Sequence, residues 1–285
     1  MNVNRWLARF SGLWRHGLPC VGLIVFLGSF TFLIAPDTDF LPAHSSTAPP
    51  PVHKIPPPDQ LPTIVIDPGH GGIDEGTAWY GLREKDVTLD VAERLQRFLT
   101  ELRLSTVLTR TTDTYVSLPE RVGLANRLDN ALFVSIHFNQ AGEESVDGVE
   151  TYYADQKIPP AQDWTWMGFF SRPEPQGDTP LDNGENFAAQ VQASVAARML
   201  IPNRGIKSKN LYVVRHTRMP AILVEGGFLS NKVENQLLRN DDYRERLARA
   251  LAVGIASYVR TTHPDATLPA HLASADPPKT LEFSR

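Results

Sequence analysis

Twenty consecutive residues, Gly17 to Pro36, carry no charge, and the stretch that follows is so rich in proline that it cannot build a packed core. These two features divide the chain before any motif is considered. They confine a folded domain to what lies beyond about residue 61. The uncharged run includes Val21, Leu23, Ile24, Val25, Phe26, Leu27, Phe30, Phe32, Leu33 and Ile34. A helix of about 20 apolar residues spans a bilayer core. Arg5, Arg9 and Arg15 precede it, and Asp37 and Asp39 follow it. The positive-inside bias then predicts a cytoplasmic stub at 1–16, a pass through the inner membrane at 17–36, and an exported remainder. A buried core helix would carry a polar face, and this run has none. Small residues at a cleavage site are not evident just after it, which favours a retained signal-anchor over a cleaved signal peptide. Cys20 precedes the apolar run instead of following it, so a lipid-attachment reading fits badly. Between 36 and 62, nine of 27 residues are proline. Residues 37–62 therefore read as an extended polyproline spacer, or less simply as a docking motif.

Whole-chain averages hide this division. Hydrophobic residues make up 42% and charged residues 21%, so part of the chain is an ordinary globular domain. The net charge of −4 argues against holding nucleic acid by bulk positive charge. The single Cys excludes a disulfide framework and a multi-thiolate metal site. Residues 1–62 hold four Lys or Arg and three Asp or Glu, a net of +1, so the remainder carries −5. A polymeric partner would thus be gripped locally by a site and not drawn in by overall charge.

From 63 to 262 the pattern alternates. Apolar runs predict strands at 63–66, 105–109, 132–136, 148–153, 211–214 and 221–224. Helical spacing predicts helices near 86–103, 185–200 and 241–260. Ser117-Leu118-Pro119-Glu120 reads as a capping box that opens a helix reaching about Arg127. The implied architecture is α/β: one three-layer domain with helices on both faces of a mostly parallel sheet. Residues 155–185 form a long insertion holding Trp164, Trp166, Phe169 and Phe170 among five prolines. Such a loop reads as a lid or sugar-stacking surface, or as aromatics packed on the domain. The tail, 263–285, is expected to be disordered.

The chemistry gathers where apolar runs end. Residues 63–66 lead into Asp67-Pro68-Gly69-His70-Gly71-Gly72, 132–136 into His137, and 221–224 into Glu225, while Glu84 stands just before the first long helix. If those strands run parallel, all four residues lie beyond one carboxyl edge, where open α/β sheets place their sites. The glycine-rich loop lacks the Lys-Ser/Thr of a phosphate loop and the spacing of a dinucleotide fingerprint. Singly, each residue has a plainer reading as a turn, a dipole partner or a core histidine. Together, two His and one carboxylate make a catalytic zinc set with its fourth position open to water, and Glu225 is then available as a base. Spacings of 14 and 53 residues are no local metal motif, so a fold must join them.

Asp67-Pro68-Gly69-His70-Gly71-Gly72, Leu82-Arg83-Glu84-Lys85-Asp86, Leu108-Thr109-Arg110 with Asp113, Ser135-Ile136-His137 and Val224-Glu225-Gly226-Gly227-Phe228-Leu229-Ser230-Asn231 occur in order. In this the chain resembles the zinc-dependent N-acetylmuramoyl-L-alanine amidases of the amidase-3 type, over about residues 63–260. The resemblance implies a twisted six-stranded sheet, one Zn2+ per domain, and peptidoglycan as substrate, cut between the lactyl group of N-acetylmuramic acid and L-alanine. It assigns His70, Glu84 and His137 as metal ligands and Glu225 as the catalytic glutamate. Arg110 and Arg121 match family positions, with structural ion pairing as their expected role. Asn139, His216 and Arg204, the last within Arg204-Gly205-Ile206-Lys207, are candidates for substrate contact. A protein activator of unknown identity and a location on the extracytoplasmic side of the cell envelope, periplasmic if an outer membrane is present, also follow. Rival readings are another zinc peptidoglycan hydrolase, such as a carboxypeptidase or deacetylase, and a non-catalytic wall-binding module.

Overall fold

The run from Ala131 to Val134 is apolar on both sides of its period-two alternation, and it opens a central strand, Ala131–Asn139, that is buried on both faces up to Ile136. The computed structural model describes residues 61–154, 183–199, 201–265 and 267–269. The strands are β1 (Thr63–Pro68), β2 (Ala78–Trp79), β3 (Leu82–Arg83), β4 (Thr106–Leu108), β5 (Ala131–Asn139), β6 (Val149–Tyr153), β7 (Asn203–Ser208) and β8 (Ala221–Phe228). The helices are α1 (Glu84–Glu101), α2 (Leu118–Ala125), α3 (Asn183–Met199), α4 (Tyr212–His216), α5 (Lys232–Leu238) and α6 (Asp241–Thr262).

Six strands form one sheet in the order β4-β1-β5-β8-β6-β7, and β2 and β3 make a separate hairpin. Strands β4, β1, β5 and β8 are mutually parallel. β6 runs antiparallel to β8, and β7 follows β6. Alternate residues face different layers. Ile64, Ile66, Val134 and Ile136 meet α1, α3 and α6, while Val65, Phe133 and Leu223 meet Val122 of α2 and Val213 and Val214 of α4. The expected three-layer α/β class is therefore present, and three of the expected strand ends (β1, β5, β8) do lie side by side on one carboxyl edge.

Local chemistry explains the element ends. Ser117 N donates to Glu120 Oε2 at 2.9 Å, completing the expected capping box of α2. Asn231 Oδ1 accepts from Val233 N and Glu234 N, both at 3.0 Å, and starts α5.

Three expectations are corrected. Residues 211–214 are not a strand: Tyr212–His216 form the short helix α4, with Val213 and Val214 turned into the second core layer. A short apolar run does not distinguish a strand from one buried helical turn. The sixth strand is instead β7, Asn203–Ser208, a polar edge strand whose sequence NRGIKS has only one large apolar residue. In the tail, Leu268 is buried against the main core and Pro269 O accepts from Arg260 Nη2 at 3.3 Å, so residues 267–269 are packed. Among the described residues no helix is long and apolar enough to cross a membrane. The expected stub, membrane segment and spacer lie outside those residues, as do Trp164, Trp166, Phe169 and Phe170 of the insertion.

Candidate metal centre and cleft

The loop after β1 is held by two arginines. Arg121 Nη1 pairs with Asp67 Oδ1 at 2.7 Å, and both groups are almost fully buried. The same guanidinium donates to Pro68 O at 2.6 Å and to His70 O at 2.7 Å. Arg110 donates to Pro68 O, Gly69 O and Lys85 O, at 3.1, 2.8 and 2.8 Å. Arg121 thus makes the expected ion pair, whereas Arg110 braces carbonyls and, among the described residues, has no carboxylate in contact. With its neighbouring carbonyls drawn inward, His70 takes φ +58°. That left-handed value is uncommon outside glycine and signals a backbone held by its surroundings.

Glu84 is the first residue of α1, yet its carboxylate turns away from the helix. Oε2 accepts from Thr77 N at 2.8 Å and Oε1 from Phe138 N at 3.1 Å. Oε1 also lies 2.9 Å from His137 Nδ1 and 3.1 Å from His70 Nε2. His70 Nδ1 is 2.9 Å from Asp74 Oδ1. One ligand atom from each of His70, Glu84 and His137 falls within 4.8 Å of the others, so the three could hold one metal ion. Two glycines make the room. A Cβ on Gly69 would stand 2.4 Å from the His137 ring. A Cβ on Gly76, at φ +65°, would stand 2.5 Å from Glu84 Oε2 and 2.6 Å from His70 Cδ2.

The donor set suits a cation. His70 has a carboxylate beside each ring nitrogen, but a neutral imidazole carries only one N–H. Either the ring is protonated, or Nδ1–H is committed to Asp74 and the Nε2 lone pair faces a cation shared with Glu84. A carboxylate behind a metal-ligating histidine is the usual orienting partner. The electrostatics agree. Burial alone would lower the affinity of His70 for a proton, but Glu84 and Asp74 raise its pKa above the ordinary value. Burial likewise opposes the charge on Glu84, and the His137 and His70 hydrogen bonds overcome it, holding the carboxyl well below the usual range.

Glu225 stands next to this group. It pairs in register with His137 across β5–β8 and with Glu150 across β6–β8. Beyond His137 the β5–β8 register shifts, so that Asn139 aligns with Phe228. Such a bulge redirects side chains at a strand end. Among the described residues Glu225 Oε2 is enclosed without a hydrogen-bond partner. Burial first, then the charges of Glu84 and Glu150, push its pKa well above the ordinary value, against a weaker pull from Lys209. A cleft of about 570 Å³ opens here, lined by His70, Glu84, His137 and Glu225, by Gly76, Thr77, Ala78 and Trp79, and by Phe138, Asn139 and Gln140. A carboxyl with high proton affinity facing three clustered ligands is suited to moving a proton between a water molecule and a leaving group.

The remaining candidates separate. Asn139 lines the cleft and donates from Nδ2 to Glu150 Oε1 at 3.0 Å. Arg204 is engaged elsewhere: its Nε lies 2.8 Å from Glu150 Oε2, where Lys207 Nζ and the Tyr152 hydroxyl also converge on the same buried carboxylate. His216 stacks on Tyr212 with ring centroids 4.2 Å apart, and it is not among the cleft-lining residues. Sequence reasoning did not single out Asp74, Trp79, Gln140 or Glu150. Asp74, four residues after His70, was the one with a readable signal.

The family model described as N-acetylmuramoyl-L-alanine amidase matches residues 64–257. The N-acetylmuramoyl-L-alanine amidase LytC of Bacillus subtilis is 36% identical over 198 residues, which are 70% of this chain and 36% of that protein. The chain thus spans little more than a third of LytC. Among solved structures, an N-acetylmuramoyl-L-alanine amidase from Clostridium difficile 630 superposes with a TM-score of 0.60 at 33% identity, covering 70% of this chain and 98% of that one. The CwlD amidase of Clostridioides difficile, in complex with the GerS lipoprotein, gives 0.60 at 25% identity over 70% and 99%.

Proposed function

The chain belongs to the N-acetylmuramoyl-L-alanine amidase family, and from that premise we propose that it is a peptidoglycan hydrolase, cutting the amide between the lactyl group of N-acetylmuramic acid and L-alanine. The observation that carries this reading is the convergence of His70, Glu84 and His137 in one cleft with the enclosed carboxyl of Glu225. Zinc suits two imidazoles and a carboxylate, and His70, Glu84 and His137 would hold it. When bound, the ion supplies a Lewis acid for the scissile carbonyl and a lowered pKa for water.

The side chains do the rest. Asp74 fixes the ring of His70, and the backbone amides of Thr77 and Phe138 fix Glu84. Glu225 takes the proton of the attacking water and delivers it to the departing alanine nitrogen. Asn139 lies within reach of substrate at the cleft wall. Residues 63–262 are the catalytic unit, 17–36 the membrane anchor and 37–62 the spacer. The wall is met on the extracytoplasmic side, and CwlD's complex with a lipoprotein is a precedent for a protein partner.

Digestion of isolated sacculi tests the reaction. Release of whole stem peptides with a free L-alanine amine, abolished by a chelator and restored by zinc, is the expected result. Loss of only a terminal D-alanine, or of acetate, would replace this reading with a carboxypeptidase or a deacetylase.

A further inference from the structure

The cleft has two walls of different chemistry. Around Glu225 it is charged and polar, with His70, Glu84, His137 and Asn139. On the other side the wall is uncharged: Gly76, Thr77, Ala78, Trp79 and Gln140. We propose that Trp79 is a stacking platform for a pyranose ring of the glycan strand, and that this uncharged wall is the enzyme's carbohydrate subsite. The inference rests on the amidase reading, and it assigns the two halves of the substrate. The glycan lies along the indole, and the stem peptide runs from the scissile amide away from it.

Three observations point to Trp79. First, the indole lines the same cleft as the metal-ligating group while part of it packs on the main core, so it is firmly seated. Second, its position is fixed from several directions. Trp79 Nε1 donates to Gln140 Oε1 at 3.3 Å, and Thr77 Oγ1 donates to the same oxygen at 2.6 Å. Asn235 Nδ2 donates to Trp79 O at 3.0 Å, and Arg239 donates to Tyr80 O. Third, the hairpin that presents it is strained. Tyr80 and Gly81 occupy the two loop positions with φ +50° and +78°. Two-residue hairpins favour Asn-Gly at such positions because both residues need positive φ. A tyrosine there is costly, and Tyr80 is 46% exposed, so core packing does not explain it. Its ring stands 6.0 Å from the indole at 51°, extending the aromatic edge outward. Its hydroxyl also hydrogen-bonds Glu144, which helps to hold the loop, and strain that the surroundings hold in this way clusters at ligand sites.

The ligand class follows from the surface. A pyranose has an apolar C–H face and a rim of hydroxyls. A flat indole meets the first, and the amide of Gln140 meets the second. A charged peptide finds no counter-ion on this wall.

The test uses the full chain and the Trp79→Ala, Trp79→Phe and Trp79→Tyr variants. Two substrates share the scissile amide: glycan-linked stem peptides and sugar-free D-lactoyl peptides. Trp79→Ala is expected to lower kcat/KM on the glycan-linked substrate at least tenfold, mostly through KM, and on the lactoyl peptide less than threefold. The aromatic variants should restore most of the difference. Equal losses on both substrates, or no loss on either, overturn the proposal. Binding of peptide-free glycan strands provides a second readout, with at least fivefold weaker affinity expected for Trp79→Ala and unchanged affinity counting against the proposal. If the wild-type chain cuts neither substrate, the amidase reading fails, and glycan binding still decides the role of Trp79.

Discussion

Replacing Asp74 by alanine separates a residue that serves the metal from one that serves the fold. Asp74 Oδ1 is shared by His70 Nδ1 at 2.9 Å and Gly76 N at 3.1 Å. Removing it frees the imidazole to rotate and relaxes the turn that places Gly76 against Glu84. Loss of such an orienting partner costs about 10- to 100-fold in metal affinity, or roughly 1.4 to 2.7 kcal/mol. The cost to folding is smaller. The Asp74 side chain is 45% exposed, so solvent screens the pair and its contribution is about 0.2 to 1 kcal/mol. For a domain of this size that is a fall in Tm of at most about 4 °C. Zinc affinity measured by chelator competition should therefore weaken strongly, while the metal-free protein melts almost as before. Asp74→Asn keeps an acceptor without the charge and should fall between the two. An unchanged zinc affinity in Asp74→Ala would refute the orienting role. A large drop in metal-free Tm would show that the residue holds the loop instead.

Glu225→Gln preserves shape and should keep zinc at one per chain while turnover falls by about 10²- to 10⁴-fold, the range for losing a positioned acid–base group. Turnover within tenfold of wild type, with metal present, would exclude Glu225 as the proton carrier. Glu234 offers a pH signature remote from the chemistry. Burial and then Asp147 lift its pKa to about 7, against the Phe228 and Gly148 amides that favour its charged form. Because the folded-state value lies above the unfolded one, stability is full below about pH 4.5 and is lost as pH rises through 7, by about 3 kcal/mol. Urea midpoints at pH 5 and pH 8 should differ in the wild type and converge in Glu234→Gln. Equal midpoints in the wild type would show that Glu234 is not the source of such a slope.

The parts of the fold that were legible are those where burial forces the composition. β5 is enclosed by helices on both sides and so reads as a mainly apolar run from Ala131 to Ile136, broken only by Ser135, and α1 and α6 show a clear apolar stripe because each packs into the main core. β7 was illegible for the opposite reason. As an edge strand it needs no apolar face, and Arg204 and Lys207 serve a buried carboxylate rather than a core. That use also gives the positive pair in the sequence a structural partner. Its counter-charge, Glu150, lies more than fifty residues away, and only the β6–β7 pairing brings them together.

The same logic applies to the site. The three candidate metal ligands were readable because each sits at or near a strand or helix end, where apolar runs stop and a lone His or Glu stands out. Their partnership was not readable from spacing, since 14 and 53 residues acquire meaning only once β1 and β5 are adjacent and parallel. The supporting residues act by backbone position, which leaves little trace in side-chain chemistry. Arg121 and Arg110 gather the carbonyls of residues 68–70, and this sets His70 at φ +58°. Gly69 and Gly76 contribute by having no Cβ, which would otherwise lie within the van der Waals reach of His137 and of Glu84. A glycine in a sequence announces a turn more readily than a space kept for a ligand. Alanine at either position would therefore disturb the metal-ligating geometry before it disturbed the fold, since the atoms displaced first are those of His70, Glu84 and His137 themselves.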